Sequence, residues 1–116
     1  MKIALHGLAL KAEYFSEVEL LFDQLIKHEF EIFATETFDR LMQMNGNQRL
    51  NYWVLETQEE IASMDFFISI GGDGTLLDTV CVVGKHEIPI LGLNTGRLGF
   101  LATVSTDQIQ EAVSHL

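Results

Sequence analysis

Three glycines and a threonine surround one acid in Gly71-Gly72-Asp73-Gly74-Thr75, the stretch of this sequence best equipped for chemistry. Glycine lets a backbone approach a bound group closely, and amides at the start of a following helix can receive phosphate oxygens. Gly71, Gly72 and Gly74 supply the first property. Thr75 adds a hydroxyl able to cap the helix or contact phosphate, and Leu76 with Leu77 is expected to pack the helix behind the loop. Asp73 is the odd member, because a carboxylate repels an anion. In a phosphate-binding loop it suits a proton acceptor, or a link through Mg²⁺ to the phosphates. The same residues also fit an ordinary tight turn with an exposed acid. Neither common nucleotide fingerprint applies: Leu77 stands where GxGxxG needs its third glycine, and the Gly-Lys-Ser/Thr of a P-loop is missing.

A second stretch, Asn94-Thr95-Gly96-Arg97-Leu98-Gly99-Phe100-Leu101-Ala102, carries fewer reactive groups. Asn94 can stabilise its own turn or reach a ligand, and Arg97 can approach phosphate or stand as a plain surface arginine. Leu98, Phe100 and Leu101 read as core or pocket wall. Asp78, one helical turn beyond Gly74, is expected to face solvent rather than a metal, and His6 to be an ordinary strand-end histidine rather than a cleft residue. His28, His86 and His115 form no recognisable metal constellation.

These residues need a frame that delivers them to one place. Met1 to His6 reads as a strand entering a turn at Gly7, and Ala12 to Lys27 shifts to helical spacing through Phe15, Val18, Leu21, Phe22, Leu25 and Ile26. Phe30 to Phe33 reads as a strand and Thr37 to Met44 as a short helix ended by Asn45-Gly46-Asn47. Tyr52 to Leu55 favours a strand, while Glu56 to Met64 fits either a helix or an irregular acidic turn. Asp65 to Ile70 is a buried strand that runs into the glycines and a helix. Ile88 to Leu93 is another strand, with Pro89 near its start, and Ser105 or Thr106 is a candidate cap for a last helix whose apolar side is Ile109, Ala112, Val113 and Leu116. Repeated strand-to-helix alternation predicts a three-layer, Rossmann-like α/β domain with a mainly parallel sheet.

The chain has 116 residues, enough for one compact domain, and 47% are hydrophobic, enough for a sizeable core. Seventeen acids against seven Lys and Arg give a formal net charge of −10, a balance that disfavours nucleic acid and anionic lipid as partners. Apolar runs are too short to span a bilayer, and no secretory signal pattern precedes the first strand, so a soluble cytoplasmic protein is expected. Cys81 is the sole cysteine, which rules out an intrachain disulfide, and it is expected to be a buried free thiol.

Gly71-Gly72-Asp73-Gly74-Thr75, delivered by Phe67-Ile68-Ser69-Ile70, resembles the signature of the NAD kinase and wider diacylglycerol-kinase-like superfamily. Asn94 to Ala102 resembles the second block of NAD kinases in particular, although many relatives carry His at the place of Arg97. The resemblance covers essentially the whole chain, more weakly before Asp65. It implies transfer of the terminal phosphoryl group of ATP to the 2′-hydroxyl of the adenosine ribose of NAD, with Mg²⁺ or another divalent metal. It makes Asp73 the expected proton acceptor and an NAD contact, with Gly74 beside it, and Leu76 or Leu77 at an adenine pocket. A homodimer or homotetramer is expected. Residues 1–116 correspond to the N-terminal domain, so a β-rich C-terminal domain with an Asn-Glu or Asn-Asp motif is expected to be absent and the piece alone inactive. The alternatives are a lipid kinase of the same superfamily and a nucleotide-binding module without turnover.

Overall fold

A computed structural model of the chain describes residues 1–46, 50–94, 104–105 and 109–114. Through them run β1 (Lys2–His6), α1 (Phe15–Lys27), β2 (Glu31–Ala34), α2 (Glu36–Met44), β3 (Trp53–Val54), α3 (Gln58–Ala62), β4 (Phe66–Gly71), α4 (Asp73–Val83), β5 (Ile90–Asn94), β6 (Val104–Ser105) and α5 (Ile109–Ser114). The strands make one sheet in the order β3-β2-β1-β4-β5-β6, and every pairing is parallel. The chain winds outward from β1 in one direction, crosses back to β4 and winds outward again. This is the doubly wound arrangement that the strand-to-helix alternation predicts.

Strand periodicity divides the core between the two faces of the sheet. Ile3 and Leu5 of β1 join Val18, Phe22 and Leu25 of α1, Phe38 and Met42 of α2 and Val113 of α5 in one cluster. Ala4 and Phe67 point the other way, toward Val83 of α4 and Ile61 of α3. On α1 the buried set Val18, Leu21, Phe22 and Leu25 follows i, i+3, i+4, i+7. Ile26 falls one step off that stripe and is exposed, a correction to the apolar face expected from the sequence.

Side-chain caps explain two helix starts. Thr35 Oγ1 accepts from Phe38 N–H at 3.3 Å and begins α2. Glu60 N–H donates to Thr57 Oγ1 at 3.1 Å, and the Glu60 carboxylate receives the Glu56 N–H at 3.3 Å, which resolves the ambiguous acidic segment as a short helix. Ser105 lies within β6, and Thr106 is outside the described residues. Among the described residues no helix is long and apolar enough to cross a membrane.

The strands at the centre close on each other tightly. A Cβ at Gly7, just beyond β1, would lie 2.9 Å from the carbonyl oxygen of Ile70 and 3.1 Å from a Phe38 ring carbon. Gly7→Ala is therefore expected to destabilise by roughly 1–3 kcal/mol, an overpacking cost measurable by urea unfolding.

Candidate functional site at the carboxyl edge of β1 and β4

In open parallel sheets ligands meet the carboxyl ends of the strands where the winding direction reverses. Here that point lies between β1, ending at His6, and β4, ending at Gly71. His6 is opposite Ser69 in the register, and Gly71 is opposite Asn94 at the end of β5. The pentapeptide singled out by its chemistry therefore sits where the topology brings ligands, as expected.

The loop is shorter than the sequence suggested, because α4 already begins at Asp73. Gly72 is its N-cap without a side-chain cap, and Leu76 N–H donates to the Gly72 carbonyl at 3.1 Å. Asp73, Gly74 and Thr75 thus form the first helical turn. Amides of a first turn point out of the helix without intrahelical acceptors and favour anions. Asp73 is partly exposed in this turn, where its charge also complements the helix dipole.

The glycines divide by physical role. Gly71 has φ of +150°, and a Cβ there would lie 2.5 Å from Thr75 Oγ1, so both backbone and packing demand glycine. Thr75 is buried against it and does not cap α4, which settles one of the two roles open to its hydroxyl. At Gly72 and Gly74, by contrast, a Cβ would meet nothing within 4 Å among the described residues, and the backbone is not left-handed. Glycine inside a helix costs about 0.5–1 kcal/mol relative to alanine. Gly74 carries that cost with no demand from the described residues around it.

Other sequence expectations fare differently. Leu76 is half-buried, but Leu77 is 59% exposed and does not pack the helix against the sheet. Cys81 is exposed rather than buried. Both corrections have one cause. The sheet-facing side of α4 is Thr75, Thr79 and Val83, at i, i+4, i+8, so Leu77, Val80 and Cys81 turn outward while Leu76 and Val82 are partly buried beside that stripe. Asn94 is buried at the end of β5, next to Gly71, while Arg97 lies outside the described residues.

His6 and Asp78 were given ordinary roles by sequence, yet they meet. The His6 ring is 2% exposed, with Nε2 at 2.6 Å from Asp78 Oδ2 and Nδ1 at 2.7 Å from Thr35 Oγ1. Since Thr35 Oγ1 accepts from Phe38 N–H, a neutral ring protonated on Nε2 satisfies every group. The Thr35 hydroxyl then donates to Nδ1, and Nε2–H donates to the carboxylate. The partners are 72 residues apart, and no local pattern in the sequence signals the pairing.

A cavity of about 300 Å³ adjoins this link, lined by His6, Thr35, Glu36, Gln58, Ile61 and Val82 among others. A larger concavity of about 440 Å³, lined by Ile26, Phe30, Glu31 and Trp53 among others, opens at the amino ends of β2 and β3. The direction of the strands makes that the wrong edge for the loop's chemistry.

Among the described residues no group of three His, Cys, Asp or Glu side chains converges as a metal cage. Mg²⁺ commonly binds through one or two carboxylates plus substrate phosphates. A single Asp73 beside a phosphate-accepting helix start fits an ion carried in on a nucleotide.

Fold and loop together define a doubly wound α/β domain of the kind that receives phosphate-bearing ligands at its carboxyl edge. A family model described as the ATP-NAD kinase N-terminal domain matches residues 8–116, and the chain belongs to that family. Its whole length aligns with 40% of the length of the NAD kinase of Cytophaga hutchinsonii at 37% identity. The same coverage of both chains holds for the NAD kinase of Bacteroides fragilis, at 40% identity. The chain thus spans about two-fifths of the curated relatives it matches.

Proposed function

We propose that the whole protein transfers the terminal phosphoryl group of ATP to the 2′-hydroxyl of the adenosine ribose of NAD, producing NADP. The observation that carries this reading is the pair Gly72 and Gly74. Both are glycines that none of the described residues around them requires, at a helix start on the ligand edge of the sheet. Close approach of a phosphate-bearing ligand supplies the requirement the fold lacks. Relatives named NAD kinase supply the identity of the ligands.

In this mechanism Asp73 orients the ribose hydroxyl and accepts its proton as attack proceeds. The 2′-oxygen bonds to the terminal phosphorus, the bond from that phosphorus to the bridging oxygen breaks, and ADP leaves with the electron pair. A carboxylate is a weak base, so proton transfer falls late and positioning contributes as much as basicity. First-turn amides of α4, with Gly71, Gly72 and Thr75 around them, lie against phosphoryl oxygens. Leu76 borders the adenine, Asn94 approaches the nucleotides from the end of β5, and Arg97 is assigned to phosphate. A bound divalent cation would neutralise phosphate charge during transfer. The assembly proposed from family likeness is a homodimer or homotetramer.

The test is NADP formation by the full-length protein with NAD, ATP and Mg²⁺, together with Gly74→Ala. Alanine is expected to hold or raise stability, by up to about 1 kcal/mol, while lowering kcat/KM for NAD. A variant as active as wild type would mean that nothing approaches Gly74 closely, and the reading would fail.

A further inference from the structure

We propose that His6 and Asp78 are positioning residues, which fix α4 and hence the glycine loop at the carboxyl edge of the sheet. The inference rests on the proposed phosphotransfer for its kinetic consequence, but its structural basis is independent of it.

The reason lies in how little apolar surface holds α4. Its buried side chains are Thr75, Thr79 and Val83, whereas α1 buries Val18, Leu21, Phe22 and Leu25. Thr79 also turns inward on its own helix, donating from Oγ1 to the Thr75 carbonyl at 2.8 Å. Threonine contributes far less burial free energy than leucine or phenylalanine, and valine somewhat less, so even with Val82 partly buried beside Val83 hydrophobic packing fixes this helix less firmly than α1. The 2.6 Å contact from His6 to Asp78 acts where packing is thin, and its acceptor is a carboxylate, which strengthens it.

The link is also braced from behind. His6 Nδ1 meets Thr35, which caps α2, so one imidazole connects the end of β1, the start of α2 and the second turn of α4. Asp78 lies five residues beyond Asp73 along a helix that rises about 1.5 Å per residue. A tilt or slide of α4 at Asp78 therefore carries directly to the loop. Gly7, the residue after His6, lies so close to β4 that a Cβ there would come within 2.9 Å of the Ile70 carbonyl, which holds this end of β1 in place.

The experiment uses full-length protein carrying His6→Ala, Asp78→Ala, both together, or His6→Gln. Glutamine can place an amide N–H near the position of Nε2. Turnover and KM are measured for NAD and ATP, and amide hydrogen exchange is followed over residues 71–83 and, for reference, 15–27. Each alanine variant is expected to lose about 10- to 100-fold in kcat, with smaller changes in KM. The double variant should be no worse than the poorer single one, and His6→Gln should recover most of the loss. Exchange should quicken over residues 71–83 and not over 15–27. Asp78 is 42% exposed, so its truncation opens no core and decides the matter if His6→Ala does not fold. Unchanged kcat in folded variants, or losses that multiply, would overturn the proposal. If the wild-type protein forms no NADP, the proposed function fails while exchange still decides the positioning role: unaltered exchange over 71–83 refutes it.

Discussion

Asp73→Asn in the full-length protein is expected to lower NADP formation about 10²- to 10⁴-fold, the usual contribution of a positioned proton acceptor. Asparagine keeps the size and one acceptor oxygen of aspartate but cannot take up the hydroxyl proton. It also removes a negative charge from the first turn of α4, where the helix dipole favours an anion by about 0.3–1 kcal/mol. Stability should therefore fall only slightly, and NAD should still bind. Loss of turnover with folding and NAD affinity retained separates chemistry from architecture. A turnover rate equal to wild type would remove Asp73 from the mechanism and leave its charge as a helix-start stabiliser.

Gly71→Ala is expected to act on the fold itself. Its φ of +150° is a region that side-chain-bearing residues seldom enter, at a cost of about 1–3 kcal/mol. The new methyl would also lie 2.5 Å from Thr75 Oγ1 and 2.8 Å from Thr75 Cβ, atoms of a buried side chain. Adding an overpacking cost of similar size, the loss should be roughly 2–6 kcal/mol in urea unfolding. Gly71→Ala combined with Thr75→Ala removes the collision but keeps the backbone strain, so it should regain part of that loss. A single variant within about 0.5 kcal/mol of wild type would show that the loop opens without cost. The opposite behaviour expected of Gly74→Ala makes the two glycines a matched pair: one held by the fold, the other left open for a ligand.

The sequence made the alternating elements readable because their periods are distinct. Val18, Leu21, Phe22 and Leu25 could face only one layer, and Phe67 to Ile70 could only be a strand buried on both sides. The segment after Leu55 was ambiguous by hydrophobicity, yet Thr57 and Glu60 carried the capping signal that decided it. Cys81 and Leu77 misled for the reverse reason. An apolar residue in an apolar helix looks buried, but α4 turns its threonines inward, and only the packing direction against β4 and β5 reveals that. Within the site, Gly71 to Thr75 was legible as a local pattern. The link from Asp78 through His6 to Thr35 was not, since it joins three elements that only the sheet order makes neighbours. Arg97 lies outside the described residues, so the choice between an approach to phosphate and a plain surface arginine stays where the sequence left it.

The sheet order also governs how the chain is made. β1 lies beside β4, and the Lys2 N–H that donates to Asp65 Oδ2 at 2.7 Å does so across 63 residues. During synthesis β1 can pair with β2 early, but its other edge stays bare until β4 has left the ribosome. Ile3, Ala4 and Leu5, completely covered in the finished protein, face that interval as an open apolar edge. Long-range parallel pairing is slow because the chain closes a large loop before any contact rewards it. The crevice between β1 and β4 thus forms only once β4 has emerged, and the strand that carries His6 waits with one edge bare until then.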